Sequence, residues 1–159
     1  MIGYIMLGTN NLAKAVKYYD ELFATLNAER FLETDRFVAW STGQDKPGFA
    51  VTKPYNDEKA TVGNGTMIAL AVETPAKVDA FYKKAIELGG TDEGAPGPRE
   101  MPGFYAGYFR DLDGNKLNVF CFTHGWGKLA VSYQVESLQA LGSRKQGLAY
   151  LTEVLDNKE

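Results

Sequence analysis

The sequence repeats itself, and a repeat inside 159 residues restricts the fold more than any other feature of the chain. Displaced by 63 positions, Tyr4-Ile5-Met6-Leu7 falls on Met67-Ile68-Ala69-Leu70. Ala13-Lys14 falls on Ala76-Lys77, and Tyr18-Tyr19 on Phe81-Tyr82. Identities are few, but the pattern is shared: a short apolar strand, a polar turn, then an amphipathic helix. At a displacement of 68 the later segments match, Phe37 on Tyr105, Trp40 on Tyr108 and Ala50 on Asn118.

Spacing predicts the helices. Leu12, Ala15, Val16, Tyr19, Leu22 and Phe23 recur at helical intervals, and Asn10 or Asn11 can accept from the free amides of the first turn. In the second copy Val78, Phe81, Tyr82, Ala85 and Leu88 form the stripe. Thr74 is the expected cap, Pro75 the first helical residue and Gly89-Gly90 the stop. Strands are expected over 28–33, 36–42 and 48–53, with a turn at 43–47. In the second half they are expected near 91–95, at 104–110 and at 116–122, the last two joined at Asp111-Leu112-Asp113-Gly114-Asn115. Each half therefore reads β-α-β-β-β. The expected fold class is α+β: two tandem modules whose curled mixed sheets surround a shared cleft, plus a C-terminal helical extension. Module 1 takes about 1–53, a linker about 54–65, module 2 about 66–123 and the extension 124–159.

Composition excludes several classes. Hydrophobic residues are 45% and charged residues 23%, close to the globular average, so wholesale disorder is not expected. A domain of this size buries roughly two-thirds of its unfolded surface and needs no staples. Net charge is −3 with no basic stripe, which argues against nucleic acid as a partner. One cysteine, Cys121, cannot make an intrachain disulfide, and a reducing cytoplasm is the default. The first residues lack the charged and apolar regions of a signal peptide, and no apolar run is long enough for a membrane span.

With this repeat in hand, residues 2–123 resemble the vicinal oxygen chelate superfamily (glyoxalase, bleomycin resistance and extradiol dioxygenase proteins), which is built from paired β-α-β-β-β modules. The helix start Asn11-Leu12-Ala13-Lys14-Ala15-Val16-Lys17-Tyr18-Tyr19 is similar to the family's Asp-Leu-x-x-Ala/Ser-x-x-Phe-Tyr segment. Phe109-Arg110-Asp111-Leu112-Asp113-Gly114-Asn115-Lys116-Leu117-Asn118 is similar to its Phe-x-Asp-Pro-Asp-Gly-Asn-x-x-Glu segment, the most specific single match. The resemblance implies four metal-ligand positions, which here hold Tyr4, Ala50, Met67 and Asn118. None is histidine or carboxylate, so the expectation is a divergent member with no cofactor and no divalent metal.

The cleft candidates are Tyr4, Trp40, Met67, Arg99, Tyr105, Tyr108 and Asn118, an apolar lining with a few polar tips. For any one of these aromatics, core packing is the commoner role. Arg36 and Arg99 are candidates to meet a ligand carboxylate or phosphate, although a solvated charge beside a turn is the commoner reading of each. Gly94 to Gly103 reads as a loop at the cleft mouth and lacks the lysine of a phosphate loop. Cys121 reads as a core thiol, and His124, the one histidine, as a surface residue. Glu73 and Glu100 are positional candidates for an acid or base. Three functions fit: a glyoxalase-like protein binding a small aromatic or amphipathic ligand without metal; a ligand-sequestering protein of the bleomycin-resistance type, without turnover; or a metal-dependent or metal-independent lyase, isomerase or dioxygenase of the same superfamily. The resemblance also implies a homodimer.

Overall fold

A computed structural model describes residues 2–123; the expected helical extension and His124 lie outside the described residues. The chain runs β1 (Tyr4–Gly8), α1 (Leu12–Ala24), β2 (Glu29–Glu33), β3 (Phe37–Ser41), β4 (Gly48–Thr52), β5 (Ile68–Ala71), α2 (Pro75–Glu87), β6 (Thr91–Pro98), β7 (Phe104–Arg110) and β8 (Lys116–Phe122). Each module makes a four-stranded mixed sheet, ordered β1-β4-β3-β2 in the first and β5-β8-β7-β6 in the second. The first and last strands of each module pair in parallel, and the others are antiparallel. Among the described residues no strand of one sheet pairs with a strand of the other. No described helix is long and apolar enough to cross a membrane.

Both displacements read from the sequence are present. The helices are displaced by 63 residues at either end, and the starts of β4 and β8 by 68. Part of the difference lies in β6, which has eight residues against five in β2 and whose register against β7 shifts between Asp92 and Gly94 and again between Gly94 and Gly97. Bulges of this kind lengthen one strand against its partner. This corrects the expected loop: residues 94–98 are strand, and only the segment up to Gly103 turns the chain.

Both helices start where a side chain can accept from free amides. Asn11 Oδ1 accepts from the Lys14 amide at 3.0 Å and Thr74 Oγ1 from the Lys77 amide at 3.3 Å. α2 gives way to Gly89, which adopts φ +102°, a conformation glycine reaches without a Cβ penalty.

One apolar core spans both modules. A chain of rings crosses it: Phe49 of β4 lies 4.8 Å from Phe23 of α1, Phe23 6.4 Å from Phe81 of α2, and Phe81 6.1 Å from Phe109 of β7. Hydrogen bonds reinforce the joint. Tyr19 Oη donates to Asp111 Oδ2 at 2.7 Å, Thr9 Oγ1 to Asp113 Oδ2 at 2.5 Å, and Asn115 Nδ2 to the Gly8 carbonyl at 3.1 Å. The acidic turn between β7 and β8 therefore clamps the end of β1. Burial raises the Asp111 carboxyl above its ordinary range, against the pull of Asn115 and Tyr19; burial also raises the Tyr19 phenol.

The linker is tied to the first module. Asn10 Nδ2 donates to the Ala60 carbonyl and Asn10 Oδ1 accepts from the Ala60 amide. Arg36 donates to the Pro54 carbonyl and to Asp57.

Candidate functional site

Each sheet has one face under its helix and one open face that no described helix covers, although Ala39, Ala50, Asn118 and Phe120 on it are buried. Strand alternation assigns residues to them, because neighbours point to opposite sides. In the first sheet Leu7, Val38, Trp40, Phe49 and Val51 belong to the core. That leaves Tyr4, Met6, Ala39 and Ala50 on the open face, where Phe31 also lies: a Cβ on Gly48 would meet the Phe31 ring at 3.1 Å and the Tyr4 Cβ at 3.2 Å. In the second sheet Leu117, Val119, Cys121 and Phe109 belong to the core, which leaves Ala69, Tyr108, Asn118 and Phe120 on the open face.

The candidates divide accordingly. All four family metal positions fall on open faces. Ala50 pairs with Met6 and Ala39, and Asn118 with Ala69 and Tyr108. Met67 immediately precedes Ile68, a helix-side residue, and is 41% exposed. Trp40 and Tyr105 are not at an open face. The Trp40 indole is buried against Tyr19 and Phe23 and donates to Asp20 Oδ1 at 2.9 Å. Tyr105 packs against the core and donates to Asp79 Oδ1 on α2 at 2.9 Å, a bond that raises its phenol. In both cases a carboxylate on the helix side gives the polar tip its partner. The Arg36 guanidinium is engaged by the linker. Glu73 is exposed and bonded to Lys77, which holds its carboxyl below the usual range, the wrong direction for a general acid at neutral pH. Burial pushes the Cys121 thiol up, which suits an inert core residue.

Arg99, Tyr108 and Asn118 come together. The Arg99 guanidinium lies 4.9 Å from the Tyr108 ring centroid. Its Nη2 donates to the carbonyls of Ala95 at 2.7 Å and Ala106 at 2.6 Å, with Gly94 at 3.5 Å, so it fills the space opened by the β6 bulges. Lys116 stands 5.9 Å from the same ring centroid. Two polar atoms in this group are buried without a partner, Arg99 Nε and Asn118 Oδ1. Phe104, Phe120 and Phe122 form a ring cluster beside them, with centroids 5.2–5.6 Å apart.

Met6, Phe31 and Lys116 were missed in the sequence. Met6 and Lys116 stand two residues from Tyr4 and Asn118, so strict alternation was the signal that could have found them. Two depressions of about 580 and 840 Å³ lie against β2, and neither includes Met67, Arg99, Tyr108 or Asn118.

The donors at the four family positions are a phenol, an amide and a thioether, with a bare methyl at Ala50. Among the described residues, no three His, Cys, Asp or Glu side chains are grouped to hold an ion. A set without imidazole or carboxylate does not fit a hard or borderline divalent ion.

Comparison with known proteins agrees with this architecture. The family model described as Glyoxalase/Bleomycin resistance protein/Dioxygenase superfamily matches residues 1–119. The fold is similar to that of a glyoxalase/bleomycin resistance protein from Albidiferax ferrireducens, at 34% identity and TM-score 0.70, covering 76% of this chain and 98% of that one. It is also similar to a lactoylglutathione lyase from Agrobacterium tumefaciens (19% identity, TM-score 0.60, 80% and 96% covered). A fosfomycin resistance protein from Mesorhizobium loti gives 18% identity, TM-score 0.57, and 76% and 91% covered. No curated protein matches the chain. With the paired modules, the matched span and these structural neighbours together, the chain belongs to the glyoxalase/bleomycin resistance protein/dioxygenase superfamily.

Proposed function

We propose that this protein binds a small molecule on the open faces of its sheets and does so without a divalent metal. The observation that carries the reading is the identity of the four family positions, Tyr4, Ala50, Met67 and Asn118, which offer no histidine or carboxylate. Glyoxalase-type lyase chemistry requires a metal to polarise an enediolate, so that activity is not inherited with the fold. The test is metal analysis of the purified protein beside a thermal-shift screen of aromatic and thiol-conjugated compounds. Sub-stoichiometric metal, and a ligand-induced shift that a chelator does not alter, are expected. Near-stoichiometric nickel, zinc or manganese would overturn the reading.

Sequestration without turnover is the favoured form of this function. The raised carboxyl, Asp111, is enclosed by Tyr19 and Asn115 in the joint between modules, away from the open faces. An acid–base enzyme needs such a group beside its ligand. The reading includes a homodimer, supported by large apolar side chains standing in solvent on the open face, Tyr4 at 64% and Phe31 at 58% exposed. Light scattering on the same sample is expected to give twice the chain mass.

A further inference from the structure

We propose that Arg99 and Asn118 form a recognition site for a small carboxylic acid that carries a hydroxyl or amide N–H close to its carboxylate and an apolar end. The inference rests on the small-molecule reading above and names the class of ligand.

The unmet hydrogen-bonding capacity of the open face defines that class. Asn118 is 2% exposed, and its Oδ1 has no partner. An amide oxygen only accepts, so the missing partner is a donor. Arg99 Nε is likewise buried and unpartnered. A guanidinium nitrogen only donates, so there the missing partner is an acceptor. Both residues border Tyr108: Arg99 lies on its ring, and Asn118 is directly opposite it in the β7–β8 ladder. Side chains so paired have Cβ atoms about 5 Å apart.

Charge selects the acceptor. Among the described residues Arg99 has no carboxylate partner; its bonds go to carbonyls. Lys116, the second cation beside Tyr108, shares Glu93 with Arg110. Two cations and one carboxylate already committed to two partners favour an anion. A carboxylate suits a guanidinium better than a neutral carbonyl does, because charge-assisted bonds are stronger. Because Arg99 and Asn118 both border Tyr108, the donor is placed in the same small molecule, close to its carboxylate. Met67, 41% exposed, and Ala69, paired with Asn118, offer the surface for an apolar end.

A purely structural Asn118 would lose stability on replacement. An oxygen kept buried and unpartnered for a ligand instead costs stability, so on the present proposal a side chain of similar volume that needs no partner should not destabilise the fold.

The test is calorimetric titration of the full chain with 3-phenyllactate, 3-phenylpropionate, which lacks the donor, and 3-phenyllactamide, which lacks the charge. 3-Phenyllactate is expected to bind at least about tenfold more tightly than either, the size of one good hydrogen bond. Asn118→Leu is expected to abolish the preference over 3-phenylpropionate while the melting temperature holds or rises. Arg99→Gln is expected to abolish the preference over 3-phenyllactamide. Equal affinities for the three probes, or no binding of any, overturn the proposal. So does an Asn118→Leu protein that melts lower and keeps its preference. A neutral aromatic compound that still shifts the melting temperature would leave the broader small-molecule reading standing, so the two failures are separable.

Discussion

At Trp40 the indole N–H finds its acceptor, Asp20 Oδ1, on the side of β3 that faces α1. Asp20 also takes the guanidinium of Arg30, so one carboxylate joins α1, β2 and β3. The bond from Arg30 holds the Asp20 carboxyl below its ordinary value, with the Trp40 bond acting in the same direction. The sign of the pH effect follows. A depressed folded-state carboxyl adds stability above its unfolded value, near pH 4, and that stability is lost as pH falls through the folded one. Asp20→Asn keeps an acceptor for Trp40 but loses the charge. Its urea midpoint is expected to fall less steeply than wild type below about pH 4. Parallel curves for the two proteins over that range would show that Asp20 is not the group responsible.

Among the elements, β6 departs furthest from its counterpart: Thr91–Pro98 against Glu29–Glu33. Gly94 has φ +148°, a conformation that L side chains rarely adopt. Gly94→Ala is expected to cost about 1 kcal/mol or more in a denaturant titration, whereas the same change at Gly43, with no such φ, should be near neutral. Equal costs at the two sites would remove the strain argument. This strand also marks where the sequence stopped being readable. The helices were legible because stripe, cap and stop agree at Asn11, Thr74, Pro75 and Gly89. The register of β8 was legible because Gly114 and Asn115 fix the turn before it, and alternation then carries Asn118 to the open face. The bulges in β6 were not, since the carbonyls of Gly94 and Ala95 there are met by Arg99, a residue outside the strand. Trp40 and Tyr105 were assigned to the cleft for a related reason. Phe-Val-Ala-Trp-Ser has apolar residues on both sides, so its alternation does not say which side meets the helix; Asp20 and Asp79 do, and they are remote in sequence.

At the scale of the molecule, the repeat builds two walls of different chemistry on one plan. The first sheet presents Tyr4, Met6 and Phe31, and the second presents Arg99, Tyr108, Lys116 and Asn118. Their common frame is the ring chain from Phe49 to Phe109 and the clamp of the Asp111–Asn115 turn on Gly8, Thr9 and Asn10. The connecting segment adds little to that frame, because its own bonds run back to the first module, through Asn10 to Ala60 and through Arg36 to Pro54 and Asp57. Covalent continuity between the halves is therefore expected to be dispensable once the chain has folded. Proteolysis after Tyr55, 97% exposed, is expected to give two fragments that elute together from a sizing column in native buffer and separate only in denaturant. A chain divided there would be two non-identical subunits of one protein, and the step from one polypeptide to a pair of complementing ones is short.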